Sequence, residues 1–327
     1  MSPDSRRSAS SARHTIGIDV GGTSIRAAVV NRDGEVVDSV RAPIPGSAPV
    51  LEDALHRVVA HLAERNDVAA VGLAVAGFLT ADRTTVRFAP HLPWVGAPVR
   101  ATLEERFGLP VVLEHDANAA AWAEYRFGAA AGSRVAVVVA LGTGIGAALL
   151  IDGRLYRGAY GVAPELGHLQ VVPDGRPCPC GKNGCWERYC SGTALATTAV
   201  ELLSRDPNRS PALHRLVLGD QRGVTGRRVA AAARDGDPVA CAAMAELARW
   251  LGEGLALVAD AFDPELVVIG GGVSGSAPLF LDEAREHYAA RLTGAGRRPL
   301  ARIRTAQLGE AAAVVGAGQL ARELALR

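Results

Sequence analysis

The segment from Glu165 to Glu187 reads E-L-G-H-L-Q-V-V-P-D-G-R-P-C-P-C-G-K-N-G-C-W-E, with His168, Cys178, Cys180 and Cys185 set between two carboxylates. One imidazole and three thiolates complete a tetrahedral zinc shell. They leave no open position, so a zinc held there is structural rather than catalytic. Gly181 and Gly184 permit the tight turns that bring the thiolates to one metal. Glu165 and His168 stand at i and i+3 and share a face on a helical turn. The histidine can then ligate while the glutamate points to a neighbouring pocket. The alternative is three unligated thiols near a loop, and the P-C-P-C-G-K-N-G-C string argues against it.

Two glycine-threonine turns carry a second chemistry. Asp19-Val20-Gly21-Gly22-Thr23 and Leu141-Gly142-Thr143-Gly144-Ile145-Gly146 each end an apolar run. Glycines there let backbone N–H groups approach a phosphate. Thr23 adds a hydroxyl donor, and Asp19 is placed to hold Mg2+ through water. Neither turn is a Walker A loop or a G-x-G-x-x-G motif. Either alone reads equally as a plain hairpin; in matched context the pair suits clamping one polyphosphate. Gly270-Gly271-Gly272 follows a third apolar run and clears room for a flat base or ribose, with an ordinary strand-to-helix turn as the alternative. In Glu114-His115-Asp116-Ala117-Asn118 a strand gives way to a helix. Asp116 is available there as general base for a hydroxyl, and the helix N-terminus favours its ionised form. Aspartate is also a favoured N-cap, which is the competing explanation for it.

Elements that would position these residues follow from the apolar pattern. Strands are predicted at 14–20, 27–30, 36–40, 68–75, 111–114, 135–141, 147–151 and 265–272, helices at 51–66, 117–127 and 238–262, and loop at 204–226. Turns are expected at Asn31–Gly34 and Asp152–Gly153. Strand, Gly/Thr turn, strand and D-G turn occur over 15–40 and again over 135–155. The repeat predicts two related α/β domains.

The chain has 327 residues, which suggests about two domains. Hydrophobic residues make up 49% of it, enough for a sizeable core. Lys plus Arg number 35 against 34 Asp plus Glu, so charge gives no reason to expect nucleic acid or an anionic membrane as partner. No apolar run reaches the length of about 18 residues that spans a bilayer. Met1–Arg13 is Ser/Arg-rich, lacks the apolar core of a secretory signal, and reads as a disordered tail. Five cysteines, three of them at metal-ligand spacing, favour a reducing cytoplasm over disulfides. Cys190 and Cys241 read as small core residues.

Together these motifs resemble the ROK family of sugar kinases, repressors and related proteins, and within it the zinc-containing actinobacterial glucokinases. The resemblance runs over nearly the whole chain after the tail. It implies a two-domain actin-like ATPase (ribonuclease H-like) fold with an active-site cleft between the domains. The tail would be 1–13. An N-terminal domain would span 14–127, completed by a C-terminal helix at 313–327. A C-terminal domain would span 128–312 and carry the zinc loop. The resemblance also implies ATP, Mg2+ and a structural Zn2+, and a homodimer or homotetramer. Asp19, Gly21, Gly22, Thr23, Gly142, Thr143, Gly144, Gly271 and Gly272 would bind the nucleotide. His168, Cys178, Cys180 and Cys185 would bind zinc. Gly77, His91, His115, Asp116, Glu165, His168 and Glu187 would bind sugar, with Asp116 as the catalytic base.

The expected reaction is ATP-dependent phosphorylation of a hexose hydroxyl, glucose to glucose 6-phosphate. Three positions depart from the family pattern. His115 and His91 stand where the family has asparagine, and Ala163-Pro164-Glu165 replaces A-G-E. An amide offers donors and an acceptor together, whereas neutral imidazole is larger and offers one of each. Another hexose, an amino sugar or a C7-cyclitol is therefore the alternative acceptor. A sugar-sensing repressor is the reading from another class. The 18 residues before Asp19 are too few for a DNA-reading domain, and an intact Asp116 argues against a non-catalytic regulator.

Overall fold

The computed structural model describes residues 14–210, 213, 214 and 223–326. The expected tail and part of the expected loop, 211, 212 and 215–222, lie outside the described residues. The chain divides into two compact units. One comprises 1–134, 148–164 and 307–327, and the other 135–147 and 165–306.

The first unit is built on a five-stranded sheet in the order β3-β2-β1-β4-β8. Its strands are β1 (His14–Val20), β2 (Ser24–Val30), β3 (Val36–Pro43), β4 (Val68–Val75) and β8 (Val111–His115). β1 to β3 form an antiparallel meander, and β1, β4 and β8 run parallel. β1 and β4 are buried along both faces because both faces are covered. On one face, helix α1 (Ala48–Ala63) buries Leu51, Leu55, Val58, Val59 and Leu62. It packs with α2 (Val99–Phe107) over Ile16, Ile18, Leu73 and Leu113. α1 begins three residues before the apolar periodicity does, because Pro49 suits a first helical turn. A small three-stranded sheet, β5 (Phe78–Leu79), β6 (Val86–Phe88) and β7 (Val95–Ala97), has no counterpart in the sequence reading.

The other face is covered by α3 (Asp116–Phe127) and α8 (Ala312–Ala325). α8 comes so close that a Cβ at Gly17 would overlap the Val314 carbonyl, and one at Gly72 the Ala317 carbonyl. Thr15 Oγ1 donates to the Gly318 carbonyl at 2.8 Å. At the far end of α3 the buried Glu124 carboxylate accepts three backbone N–H bonds, from Ala129 at 2.8 Å, Gln307 at 2.9 Å and Leu308 at 2.8 Å. It thereby fixes the entry to α8.

A second sheet has the order β11-β10-β9-β12-β13. Its strands are β9 (Val135–Leu141), β10 (Ile145–Ile151), β11 (Arg154–Tyr156), β12 (Leu266–Gly270) and β13 (Arg302–Thr305). β9, β12 and β13 run parallel. The order matches that of the first sheet, as the repeated strand-turn-strand motif predicts. The helices of the second unit are α4 (Gly192–Arg205), α5 (Gly226–Arg234), α6 (Pro238–Phe262) and α7 (Leu281–Arg291). α6 keeps its predicted bounds. Asp237 caps it through Val239 N at 3.0 Å and Ala240 N at 2.9 Å, and Pro238 occupies the first turn. The expected loop at 204–226 holds the end of α4 and a 3-10 turn at Pro207–Arg209. Cys190 is buried as expected. Cys241 is not: it lies exposed on α6. Among the described residues no helix is long and apolar enough to cross a membrane.

Candidate active site and metal centre

In the first unit, β1 ends in Asp19, and the turn to β2 carries Gly21, Gly22 and Thr23. Asp19 sits opposite Arg26 in the β1–β2 register and is buried. Arg26 Nη2 donates to Asp19 Oδ2 at 2.7 Å. Burial pushes the Asp19 carboxyl above its ordinary value; Arg26 draws it back in part, and the charge of Asp116 pushes it up again. Gly22 lies against His91, whose Cβ would stand 3.0 Å from an added Cβ. Gly77 packs in the same way on Ala89, two residues before His91. Of the residues expected to bind sugar, His91 thus lies on the phosphate-type turn.

Asp116 opens α3 directly after β8, with His115 as the extended residue that precedes the helix. Its Oδ1 accepts from Ala117 N at 2.7 Å and lies 3.3 Å from His115 Nε2. The Asp116 side chain is 39% exposed. Asp116 is the first helical residue rather than the N-cap, which is His115, and one of its oxygens accepts a first-turn N–H.

Glu114, one residue before His115, is the opposite case. Its side chain is 3% exposed. Oε2 accepts from Arg157 Nη2 at 2.6 Å, Arg157 Nε at 2.9 Å and Arg83 Nη1 at 3.2 Å. Oε1 accepts from Asn118 Nδ2 at 3.0 Å. Burial alone would raise this carboxyl, but Arg157, Asn118 and Arg83 together hold it below the usual glutamate value. Two buried carboxylates in one unit therefore shift in opposite directions. Glu114 has two guanidinium partners and an amide; Asp19 has one guanidinium and a repelling neighbour.

In the second unit, Glu165 precedes a 3-10 turn, Leu166–His168, in which His168 N donates to the Glu165 carbonyl at 3.1 Å. Residues at i and i+3 eclipse on such a turn, as their spacing predicts. The ligand atoms of His168, Cys178, Cys180 and Cys185 all lie within 4.8 Å of one another. Cys180 Sγ is 3.6 Å from Cys185 Sγ, and Cys178 Sγ is 3.7 Å from His168 Nδ1. A disulfide needs about 2.05 Å between sulfurs. Four ligands about 2.3 Å from a zinc stand about 3.8 Å apart along the tetrahedron edges. The donor set and its spacing fit Zn2+. Burial pushes the Cys178 and Cys185 thiols up, so metal binding must displace protons.

Glu187 follows in a second 3-10 turn, Trp186–Arg188. Its Oε1 accepts from Cys178 Sγ at 3.2 Å and its Oε2 from Ile145 N at 3.4 Å. Oε2 also occupies the place a side chain on Gly144 would need. The L-G-T-G turn and the metal loop are thus one assembly within this unit. Trp186, fully buried, anchors it: its Nε1 donates to the Trp250 carbonyl at 2.7 Å, and its ring fills the space beside Gly254 on α6. Gly192, the first residue of α4, donates its N–H to the Gly142 carbonyl at 2.8 Å, which brings a helix N-terminus to this turn. Gly271 (φ 78°) leads past Leu141, whose carbonyl would lie 2.5 Å from an added Cβ. Beyond it opens a cavity of about 530 Å³, lined by Ser274, Ala277, Pro278, Leu281, Arg285 and Thr305.

Sequence reasoning missed Arg26, Arg83, Arg157 and Glu114, whose pairings are tertiary. It also missed Arg176, which crosses the metal loop to reach Glu201 Oε2 at 2.6 Å and the Arg188 carbonyl at 2.7 Å. The helix start at Ser191 could have been found, because a serine before G-T-A-L is an N-cap signal.

A model of the ROK family matches residues 15–324. The chain is 44% identical over 309 residues to a glucokinase of Streptomyces coelicolor, covering 94% of this chain and 98% of that protein. Its structure is similar to a ROK family glucokinase from Streptomyces griseus solved in complex with glucose and AMPPNP, with TM-score 0.85, 45% identity, and 95% and 99% of the two chains covered. It is also similar to a ROK hexokinase from Thermus thermophilus, with TM-score 0.78, 35% identity, and 95% and 98% covered.

Proposed function

The chain belongs to the ROK family and has the actin-like ATPase fold, and from that premise we propose that it phosphorylates glucose at the primary hydroxyl, with ATP as donor. The observation that carries this reading is Asp116, a half-exposed carboxylate at a strand-to-helix junction whose charge is felt by Asp19 of the first Gly/Thr turn. One Asp116 oxygen is engaged by the backbone, and the other takes the proton as the hydroxyl attacks the γ-phosphate. Phosphoryl transfer needs positioning and charge stabilisation more than covalent chemistry. The turns at Gly21–Thr23 and Gly142–Gly144 supply N–H donors beyond those of Gly21 and Gly142, which the Ser24 and Gly144 carbonyls accept, and the N-terminus of α4 supports the second of them. The cavity beyond Gly271 and Gly272 suits a base. Asp19 fits Mg2+ through Oδ1, since Arg26 occupies Oδ2. A cation held by Asp19 would supply neutralisation of phosphate charge and would draw down the carboxyl that burial raises. Glu165, His168 and Glu187 hold the sugar ring, with a zinc at His168, Cys178, Cys180 and Cys185 fixing their loop. The enzyme acts in the cytoplasm as a homodimer or homotetramer, without nucleic acid or membrane.

ADP release measured across glucose, other hexoses, amino sugars and cyclitols tests the reading. Turnover fastest on glucose is expected. Turnover on a cyclitol or amino sugar alone would transfer the reading to the acceptor that His91 and His115 admit. Turnover on none would favour a sugar-sensing regulator.

A further inference from the structure

Glu114 and Arg157 lie outside the reacting groups, yet they form the most buried ion pair around Asp116. Every nitrogen of Arg157 is engaged. Nε and Nη2 fork onto Glu114 Oε2 at 2.9 and 2.6 Å, and Nη1 donates to the Leu155 carbonyl at 3.2 Å. The Glu114 carboxylate in turn holds both ends of the junction that carries Asp116. Its Oε1 accepts from His115 N at 3.1 Å on one side of the base and from Asn118 Nδ2 at 3.0 Å on the other.

Arg157 also opens a closed turn. Its carbonyl accepts from Ala163 N at 3.1 Å, and Gly161 packs on Ala81 in the turn that supplies Arg83. The next residues along the chain are Pro164 and Glu165.

We propose that Arg157, acting through Glu114, is a positioning residue for Asp116. The pair sets the path of the β8–α3 junction on both sides of the base, and the turn at 157–163 is tied to that same strand end. This rests on Asp116 being the base of a kinase. A forked guanidinium on a buried carboxylate gives geometric precision that a single ammonium does not. A base displaced by about 1 Å loses about 10²-fold in rate.

The test compares Arg157→Met, Arg157→Lys, Glu114→Gln and the double variant Arg157→Met/Glu114→Gln, each with its thermal unfolding. Arg157→Met is expected to lower kcat by about 10- to 100-fold while glucose KM changes less than about threefold. Arg157→Lys restores part of the rate. The double variant leaves no unpaired buried charge and unfolds near the wild-type temperature, yet its kcat stays low. A double variant with kcat within about twofold of wild type overturns the proposal, as does a loss confined to KM.

A second readout does not depend on turnover. The backbone and carboxyl carbon-13 chemical shifts of Asp116 are read by NMR at one fixed pH, with His115 Nε2 3.3 Å from its Oδ1. Arg157→Met and Glu114→Gln each displace those resonances, and Arg157→Lys displaces them less. Unchanged resonances in both Arg157→Met and Glu114→Gln overturn the proposal. Absence of sugar turnover by the wild type refutes the kinase reading, and the resonances still decide the pair.

Discussion

The β8–α3 junction and the metal loop both present carboxylates to solvent-accessible space, but they fix them by different means. At the junction, Asp116 is placed by a relay of hydrogen bonds and a buried ion pair, Glu114 with Arg157 and Arg83. In the loop, Glu187 follows a short irregular segment held by a few backbone bonds, by Arg176 and by Trp186, around four side chains that fit a metal shell. The difference follows from local structure. A strand end and a helix start already restrict the backbone at 111–127. The residues between 169 and 185 have only isolated bridges, Gln170 with Cys185 and Pro177 with Asn183. Where regular structure is scarce, a cross-link of the chain does the positioning.

Removing the base is the largest way to separate the two. Asp116→Ala should lower kcat at least about 10²-fold with little change in glucose affinity, read by ADP release and by equilibrium binding. Near-normal turnover would place the base elsewhere.

Breaking the metal shell should act on the other side. Cys185→Ser, or a chelator, should remove bound zinc and raise glucose KM about 10- to 100-fold, with a smaller effect on kcat. Zinc affinity should fall as pH falls, because protons compete for thiols that burial already keeps protonated. A zinc-free protein with normal KM would show that the loop holds its shape unaided.

Two of the buried carboxylates of the first unit, Glu114 and Asp19, sharpen the contrast within it. Glu114 titrates below the ordinary 4.5, so its contribution to stability is full above that pH and is lost as pH falls through the folded value. Asp19 titrates above the ordinary 3.8, so its sign is reversed: stability is greater below 3.8 and declines as pH rises through the folded value. Near neutral pH, urea unfolding should show Glu114→Gln less stable by about 1–3 kcal/mol. Asp19→Asn should be more stable by about 1 kcal/mol. Equal signs would mean that Arg26 serves Asp19 as fully as two arginines serve Glu114.

The smallest effect is expected at Glu201, half exposed, which pairs with Arg176 of the metal loop. Glu201→Ala should change the unfolding free energy by less than about 1 kcal/mol and leave zinc content unaltered. A larger loss would make the surface pair, rather than metal and Trp186, the anchor of the loop.

What the sequence disclosed follows the same division. The metal centre was legible because its ligands are close in sequence and of types that have few other uses together. α6 was legible because Asp237-Pro238 marks its start and its apolar periodicity is unbroken. The Glu114–Arg157 pair joins residues 43 apart, and nothing local to either announces it. The small β5–β7 sheet escaped because its strands are two or three residues long and mixed in polarity. Cys241 was assigned to the core from residue type alone, yet its position on α6 faces outward. His91 was expected among sugar contacts from its neighbours in the motif; its contact with Gly22 depends on how the β1–β2 turn folds.

The close seat of α8 on β1 has a consequence for synthesis. Thr15 and Gly318, joined by a hydrogen bond, are 303 residues apart. At translation rates of about 5–20 residues per second, β1 leaves the ribosome about 15–60 seconds before its partner is made. Through that interval one face of the first sheet has α3 but lacks α8, and its glycine-lined groove stays open until α8 arrives.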